Sequence, residues 1–374
     1  MYTLSDIKTD CFHFDSVKPC KPHKQQGMFC DNCTQYKKVE SRILVIKFAA
    51  SGDVLRTTSI LPALHEKHKG AAVYWITAKN AVSIFHNNPF VKKVISESAE
   101  YLALLQVMQF DAVFNLEADV HSSALAAIAK SKNKNGFILD TDGVVKPANN
   151  LADEWFVMGI NDDIKKKNTR TYFEHIYGMC GFKSEVVPPK IFLSEVEKSI
   201  TSKFINEHSL NKGKKILGIN TGAGKRWPLK KWGFSDYVAL IEKLHAERKD
   251  VELVLFGGPE EAEYNKALVE SLSFKIIDAG TGNDVRSFFA LVDAVDVLLT
   301  PDSLSMHVGV ALGKSVIVYT GPTSFTELDV FGKGDIIHSD IDCLSCYLNK
   351  CDKETNCMNT ISVNTMVEVV IKNL

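Results

Sequence analysis

Residues 42–54 read RILVIKFAASGDV, and this stretch decides the fold. The apolar run over 42–48 has the length and the β-branched content of a buried strand. A short loop containing Gly52 and Asp53 follows it, and a helix is predicted over 54–68. A strand that passes through such a loop into a helix is the repeating unit of an open α/β sheet, in which ligands bind at the carboxyl ends of the strands.

A second unit of the same kind lies near the end of the chain. The strand-like run DVLLT at 296–300 leads into the loop PDSLSMH at 301–307 and a helix-like stretch over 308–313. Backbone N–H groups at the start of such a helix favour a bound phosphate. Two units of this kind predict two facing domains with one ligand bound between them.

Short apolar runs alternate with helix-length segments from 42 to 139 and again from 215 to 320. This alternation is typical of parallel sheets covered by helices on both faces, so we predict an α/β chain with two such sheets. The predicted parts are a loop-rich, cysteine-rich extension over 1–40, an N-terminal domain over 41–190 and a C-terminal domain over 191–374. The last domain should contain a final strand over 315–320, a cysteine-rich loop over 343–357 and a terminal helix over 363–372.

The composition is that of an ordinary globular protein. The 374 residues are 45% hydrophobic and 24% charged, with a net charge of −1, so we expect no broad nucleic-acid surface. No run approaches the roughly 18 apolar residues of a membrane span, and the first residues lack the apolar core of a signal peptide. We expect a cytoplasmic protein, with contact to the inner membrane surface left open.

Asp53 lies at the predicted start of a helix. Its carboxylate is a candidate general base, because a carboxylate can take the proton of a hydroxyl group that attacks an electrophile. The alternative is a structural role, since carboxylates are favoured in the first turn of a helix.

The segment NTGAGKRWP at 220–228 combines a strand end, a glycine loop and two cations. The glycines would let the backbone approach an anion closely, and Lys225 and Arg226 would neutralise a diphosphate. The pattern is not a Walker A loop. Lys225 and Arg226 could equally be ordinary surface charges.

Asp302 and the residues after it form the third candidate site. A helix that begins near Ser303 would direct its first N–H groups at a ligand. The alternatives are that Ser303 and Ser305 are plain helix caps and that Met306 and His307 belong to the core.

Eight of the nine cysteines form two clusters. In the reducing compartment that we expect, such clusters favour a structural zinc or iron ion, although free thiols or disulfides remain alternatives. The N-terminal cluster, C-x8-C-x9-C-x2-C, is Cys11, Cys20, Cys30 and Cys33, and the C-terminal cluster, C-x2-C-x4-C-x5-C, is Cys343, Cys346, Cys351 and Cys357.

In combination, these motifs resemble the family 9 glycosyltransferases, the ADP-heptose heptosyltransferases of lipopolysaccharide core assembly. The matching pieces are ILVIK at 43–47, SGDV at 51–54, LPAL at 61–64, KRWP at 225–228, FGG at 256–258, Asp302-Ser303 with His307, and YTGPT at 319–323. The resemblance implies a GT-B architecture with an acceptor-side N-terminal domain and a nucleotide-sugar-binding C-terminal domain. It also implies an inverting transfer that needs no cofactor or metal for catalysis.

The resemblance also implies roles for single residues. Asp53 would be the base, and Lys225 would hold the diphosphate. The other donor-binding residues would be Asn220, Thr221, Arg226, Glu260, Asp302, Ser303, Leu304, Ser305, Met306 and His307. Leu304 stands where the family commonly has glycine, which keeps the backbone N–H donors but hinders close approach of the sugar or phosphate.

The function predicted from these features is transfer of a sugar, heptose from ADP-heptose, onto a glycan or glycolipid acceptor such as lipopolysaccharide core. Two alternatives remain at this stage. One is a non-catalytic nucleotide-binding or metal-binding scaffold with the same fold. The other is a different GT-B enzyme that acts on nucleotide sugars, such as an epimerase.

Overall fold

The computed structural model describes residues 2–96, 99–210, 213–224 and 227–374. The chain divides into two compact units. The first consists of the chain up to Ala49, Ile60–Val157 and Ile176–Glu185. The second consists of Ala50–Ser59, Met158–His175 and Val186–Leu374.

The first unit is built on a six-stranded sheet in the order β3-β2-β1-β4-β5-β6. All neighbouring strands are parallel except β5 and β6. Strand β2 is buried along its whole length, as expected for a parallel strand covered on both faces. The strands are β1 Ser41–Ile46, β2 Ala71–Thr77, β3 Val91–Ser96, β4 Ala112–Asn115, β5 Lys134–Leu139 and β6 Val145–Pro147.

The helices of the first half of the chain are short. They are α1 Lys21–Gln26, α2 Ser51–Thr57, α3 Ile60–Lys67, α4 Ala99–Val107, α5 Val120–Ile128, α6 Asp153–Ile160, α7 Asp162–Lys166 and α8 Tyr172–Cys180. Residues 2–40 are mostly irregular, as predicted. They are attached to the first unit through Lys92, whose ammonium group donates to the backbone carbonyls of Cys11, Phe12 and Phe14.

The second unit is built on a six-stranded, all-parallel sheet in the order β12-β11-β10-β7-β8-β9. Its strands are β7 Lys215–Asn220, β8 Val251–Phe256, β9 Ile277–Asp278, β10 Val297–Pro301, β11 Ser315–Tyr319 and β12 Gly334–Ile337. Its helices are α9 Glu195–Glu207, α10 Phe234–Glu247, α11 Ala262–Glu270, α12 Val285–Asp293, α13 Leu304–Ala311 and α14 Val363–Asn373. The central strands β7, β10 and β11 supply much of the buried apolar core.

Two expectations about these elements are wrong. The helix predicted over 54–68 is two helices, because Thr57 and Thr58 turn their hydroxyl groups onto the backbone carbonyls of Asp53 and Leu55 and so favour a break. The strand over 315–320 is not the last one, since the four-residue β12 follows it. A strand this short carries too little periodicity to be recognised from sequence.

The described residues contain no helix that is both long enough and apolar enough to cross a membrane.

Candidate active site

Helix α2 packs in the second unit against α13, although it follows a strand of the first sheet. Gly52 permits this approach, because a Cβ atom added there would lie 2.8 Å from Cδ2 of His307 and 3.5 Å from Cα of Leu304. A side chain at position 52 would require the His307 ring to shift. The contact places the first turn of α2, with Asp53, beside the first turns of α13.

Asp53 is the third residue of α2, and both of its carboxylate oxygens are held. Oδ1 lies 2.7 Å from a terminal nitrogen of Arg56, and Oδ2 accepts a hydrogen bond of 3.2 Å from the backbone N–H of Ala50. The Asp53 side chain is nonetheless 33% exposed, against 12% for Arg56. The carboxylate therefore combines a fixed orientation with access to solvent. Asp53 also caps its helix through the bond to Ala50, as the structural alternative predicts.

Asp302 follows β10 and is held in a different way. Its Oδ2 accepts hydrogen bonds from Nζ of Lys230, at 2.5 Å, and from Oγ1 of Thr323, at 2.9 Å. Burial opposes ionisation, but the Lys230 ammonium and the Thr323 hydroxyl hold the pKa of Asp302 below its ordinary value. Asp302 is thus a fixed anion with one oxygen, Oδ2, taken up by its neighbours.

His307 lies on α13 and is buried. Burial, assisted by the charge of Arg56, lowers the pKa of His307 to about 4, although Asp302 and Asp53 act in the opposite direction. The ring is therefore neutral near pH 7. The neutral His307 ring packs against Gly52 and adds no positive charge to the site.

The other predicted donor-binding residues lie at the start of α13 or in the apolar core beside it. Ser303 is the residue before the helix, and its hydroxyl contacts those of Thr300 and Ser305 at 3.3 Å and 3.1 Å. Met306 is buried in an apolar cluster with Val310, so its side chain faces the core rather than a ligand. A role of these residues in donor binding would rest on the N–H groups at the start of α13, which lack partners within the helix.

The glycine loop after β7 is held by hydrogen bonds from the side chains of buried residues at its start. The Asn220 amide donates to the Gly222 carbonyl at 2.9 Å, and the Thr221 hydroxyl donates to Oδ1 of Asn265 at 2.6 Å. A Cβ at Gly222 would lie 2.7 Å from Oε2 of Glu261. The side chains of Asn220 and Thr221 thus hold the loop in place.

Lys225 and Arg226, the two cations predicted to bind the diphosphate, lie outside the described residues. Glu260 is exposed in the turn Pro259–Glu261. Its neighbour Glu261 is 3% exposed and pairs with Lys231 at 2.8 Å.

Four residues of this region were missing from the sequence prediction: Arg56, Lys230, Glu261 and Thr323. The pairing of Arg56 with Asp53 could have been predicted from the sequence, because Arg56 follows Asp53 by three positions and residues three apart on a helix are neighbours. Lys230 had none, since its partner Asp302 is 72 positions away. Glu261 and Thr323 likewise bond to segments that are distant in sequence.

All nine cysteines are described and none forms a disulfide. In the C-terminal cluster, burial raises the pKa of Cys357 to about 11, and the thiols of Cys346, Cys343 and Cys351 add to this effect. Within the described part of the chain, however, no three His, Cys, Asp or Glu side chains are arranged to hold a metal ion.

Two mainly parallel, Rossmann-like sheets, with carboxylates at strand-to-helix junctions and a glycine loop in the second unit, are consistent with the GT-B class of glycosyltransferases. Comparison with known proteins agrees with this class. The model of "Glycosyltransferase family 9 (heptosyltransferase)" matches residues 102–356. The chain therefore belongs to glycosyltransferase family 9 and is a glycosyltransferase.

Three distant relatives match over most of their length. The chain is 21% identical to lipooligosaccharide heptosyltransferase 2 of Campylobacter jejuni over 337 residues, which are 86% of this chain and 95% of the relative. The family 9 glycosyltransferase of Veillonella parvula superposes with a TM-score of 0.71 at 19% identity, covering 90% of this chain and 97% of that one. The Escherichia coli ADP-heptose LPS heptosyltransferase II gives 0.65 at 20% identity, covering 89% and 98%. The predicted α/β, GT-B fold class is confirmed.

Proposed function

We propose that this glycosyltransferase moves a heptose from ADP-heptose onto a glycan or glycolipid acceptor such as lipopolysaccharide core. The observation that carries the proposal is the Asp53 carboxylate, which is oriented by Arg56 and still reachable from solvent. The names of the relatives supply the substrate class. The scaffold alternative needs Asp53 only as a helix cap, which does not require the carboxylate to be accessible to solvent.

The chemistry follows from that carboxylate. An acceptor hydroxyl attacks the anomeric carbon of the donor sugar and gives its proton to Asp53. The bond between the anomeric carbon and the diphosphate oxygen breaks, its electron pair leaves with ADP, and the anomeric configuration inverts. The protein must also stabilise the negative charge that develops on the departing diphosphate.

The leaving group would be held by the second unit. The N–H groups at the start of α13 suit a diphosphate oxygen, and Lys225 is the cation proposed to act with them. Asp302 would contact the sugar through Oδ1, since Oδ2 bonds to Lys230 and Thr323. A carboxylate accepts hydrogen bonds from sugar hydroxyls without changing its own protonation.

The donor can be identified with a panel of nucleotide sugars. The purified protein is incubated with ADP-heptose, ADP-glucose, UDP-glucose and GDP-mannose, with and without a truncated lipopolysaccharide acceptor, and released nucleotide and product mass are measured. We expect ADP release that depends on both ADP-heptose and acceptor. Release from another donor alone would contradict the heptose assignment, and no transfer from any donor would favour the scaffold alternative. Work on a glycolipid acceptor would place the protein at the cytoplasmic face of the inner membrane.

We also propose that Cys343, Cys346, Cys351 and Cys357 hold one structural zinc or iron ion, with small thiol movements on binding. The support is the spacing of the four cysteines in the sequence and the position of Cys357 beside Gly321, where an added Cβ would lie 2.5 Å from Sγ of Cys357. Four thiolates would close a tetrahedral site and leave no position for catalysis. The same role is proposed for the N-terminal cluster.

Elemental analysis of protein purified under reducing conditions tests both clusters. About one equivalent of metal supports one loaded cluster and about two support both. Cys346→Ser should release one ion, and Cys30→Ser should release the other. Metal-free protein with nine titratable thiols would remove both ions and leave the transferase assignment intact.

A further inference from the structure

Arg56 pairs with Asp53 at 2.7 Å, and its own position is strongly constrained. Its guanidinium carbon lies 3.5 Å from the centroid of the Tyr172 ring, a cation–π contact that favours the charged form. The Tyr172 hydroxyl is bonded to Oγ1 of Thr57 at 2.7 Å, and the Tyr172 N–H donates to the Glu327 carbonyl at 3.0 Å. The ring that supports Arg56 is therefore fixed at both ends.

The guanidinium is charged despite its burial. Burial disfavours the charge, but the surrounding acidic groups hold the pKa of Arg56 above its ordinary value. The groups that face the Asp53–Arg56 pair come from several segments: His307 from α13, Asp302 and its partner Lys230, Tyr172 from α8, and Glu327. Arg56 thus balances several negative groups in a region of restricted solvent.

Not every N–H donor of the Arg56 guanidinium has a hydrogen-bond partner among the described residues. Its Nε atom is buried and has no hydrogen-bond partner among the described residues. An arginine that served only to stabilise the fold would be expected to satisfy this donor, because an unpaired buried N–H destabilises the folded state. The guanidinium is instead placed for the single carboxylate oxygen that it contacts.

We propose that Arg56 is a positioning residue of the transfer reaction, which fixes the Asp53 carboxylate and favours its ionised, proton-accepting form. The inference rests on the proposed role of Asp53 as the base. Arg56 holds Oδ1, and the Ala50 N–H holds Oδ2. The Asp53 side chain is 33% exposed, so the acceptor hydroxyl can reach the carboxylate. Arg56 acts through Asp53 and does not itself contact the reacting atoms.

The test uses Arg56→Met, Arg56→Lys, Asp53→Asn and the double variant Asp53→Asn/Arg56→Met in the full-length protein. Arg56→Met should lower kcat by about 10- to 100-fold, a fraction of the loss of the base itself, with ADP affinity unchanged. The acid limb of its pH profile should move to higher pH, because removal of a nearby cation favours the protonated carboxyl. Arg56→Lys should recover part of the rate.

The double variant separates positioning from other roles. If Arg56 acts through Asp53, Arg56→Met should cost less than about threefold in the Asp53→Asn background, since coupled residues are not additive. Lys198→Met is the matched control, because Lys198 also pairs with a carboxylate three positions away, Glu195 at 2.8 Å, but on an exposed surface of α9. It should leave rate and pH profile unchanged.

Three results would overturn the proposal: full additivity in the double variant, an acid limb that stays in place, or a loss of ADP affinity in Arg56→Lys. The last would make Arg56 a substrate ligand. Failure of the proposed function is seen separately, as absent transfer by the wild type or an unaffected Asp53→Asn variant. If Arg56→Met does not fold, the pH profile and ADP affinity of Arg56→Lys decide the question.

Discussion

Two carboxylates, Asp53 and Asp302, each lie at a strand-to-helix junction, but their surroundings differ. Asp53 is 33% exposed and pairs with Arg56 one turn along its own helix. Asp302 is 13% exposed and pairs with Lys230, which is itself 9% exposed and comes from a distant segment. The first carboxylate is oriented but open, whereas the second is enclosed.

This difference separates two chemical roles. An acid–base group must exchange a proton with substrate, so it needs access as well as orientation. A group that only recognises a hydroxyl or supports a loop works better as a permanent anion, as the lowered pKa of Asp302 ensures. The two carboxylates therefore suit the two different roles that we propose for them, and their partners and exposure account for the difference.

The largest expected effect is on the open carboxylate. Asp53→Asn keeps the side-chain size and the helix cap but removes the proton acceptor, so kcat should fall by about 10²- to 10⁴-fold. Donor affinity, measured by calorimetry with ADP, should change little. A variant that turns over as fast as the wild type would assign Asp53 to helix capping alone and would end the comparison with Asp302.

Loss of the cation that pairs with Asp302, the enclosed carboxylate, should lower the stability of the folded protein. Lys230→Met removes the partner of a buried anion, and the free energy of unfolding should fall by about 3–5 kcal/mol, because the remaining charge is left uncompensated. Urea denaturation measures this change in the free energy of unfolding. The control is Lys214→Met, whose pair with Glu252 has side chains 39% and 32% exposed and should contribute less than about 1 kcal/mol. Equal losses in both variants would show that burial does not distinguish the pairs.

The sequence was sufficient for much of this picture. The β-branched runs predicted most strands of both sheets, and the loop motifs located Asp53 and Asp302 at strand-to-helix junctions. Partners such as Lys230 could not be predicted, because the pair forms only when segments 72 positions apart fold together. The break after α2 depended on side-chain hydrogen bonds of Thr57 and Thr58 that compete with the helix, which periodicity does not reveal.

His307 provides a pH test of the region between the two carboxylates. Its pKa is lowered from 6.5 to about 4 in the folded protein, so at intermediate pH the unfolded chain binds a proton that the folded protein excludes. The stability associated with neutral His307 is present above pH 6.5 and is lost as the pH falls towards 4, by about 3 kcal/mol in total. His307→Gln should flatten the pH dependence of unfolding in this window. An unchanged slope would mean that His307 titrates normally.

The smallest expected effect concerns Leu304, the first residue of α13, at the position where the family resemblance leads us to expect glycine. Its Cα lies 3.5 Å from the position that a Cβ of Gly52 would occupy, so the two helices already meet there. Leu304→Gly should remove side-chain bulk beside the first N–H groups of α13 and strengthen ADP-heptose binding by a few-fold, which corresponds to about 1 kcal/mol. Leu304→Ala is the control for lost packing, because it shortens the side chain but keeps Cβ. If Leu304→Gly and Leu304→Ala bind the donor with the same affinity, removal of Cβ gives no advantage. A glycine at this position would then affect the contact between α2 and α13 rather than the approach of the diphosphate. If Leu304→Gly binds less tightly, the leucine itself contacts the donor, and the enclosed site recognises its ligand by packing as well as by charge.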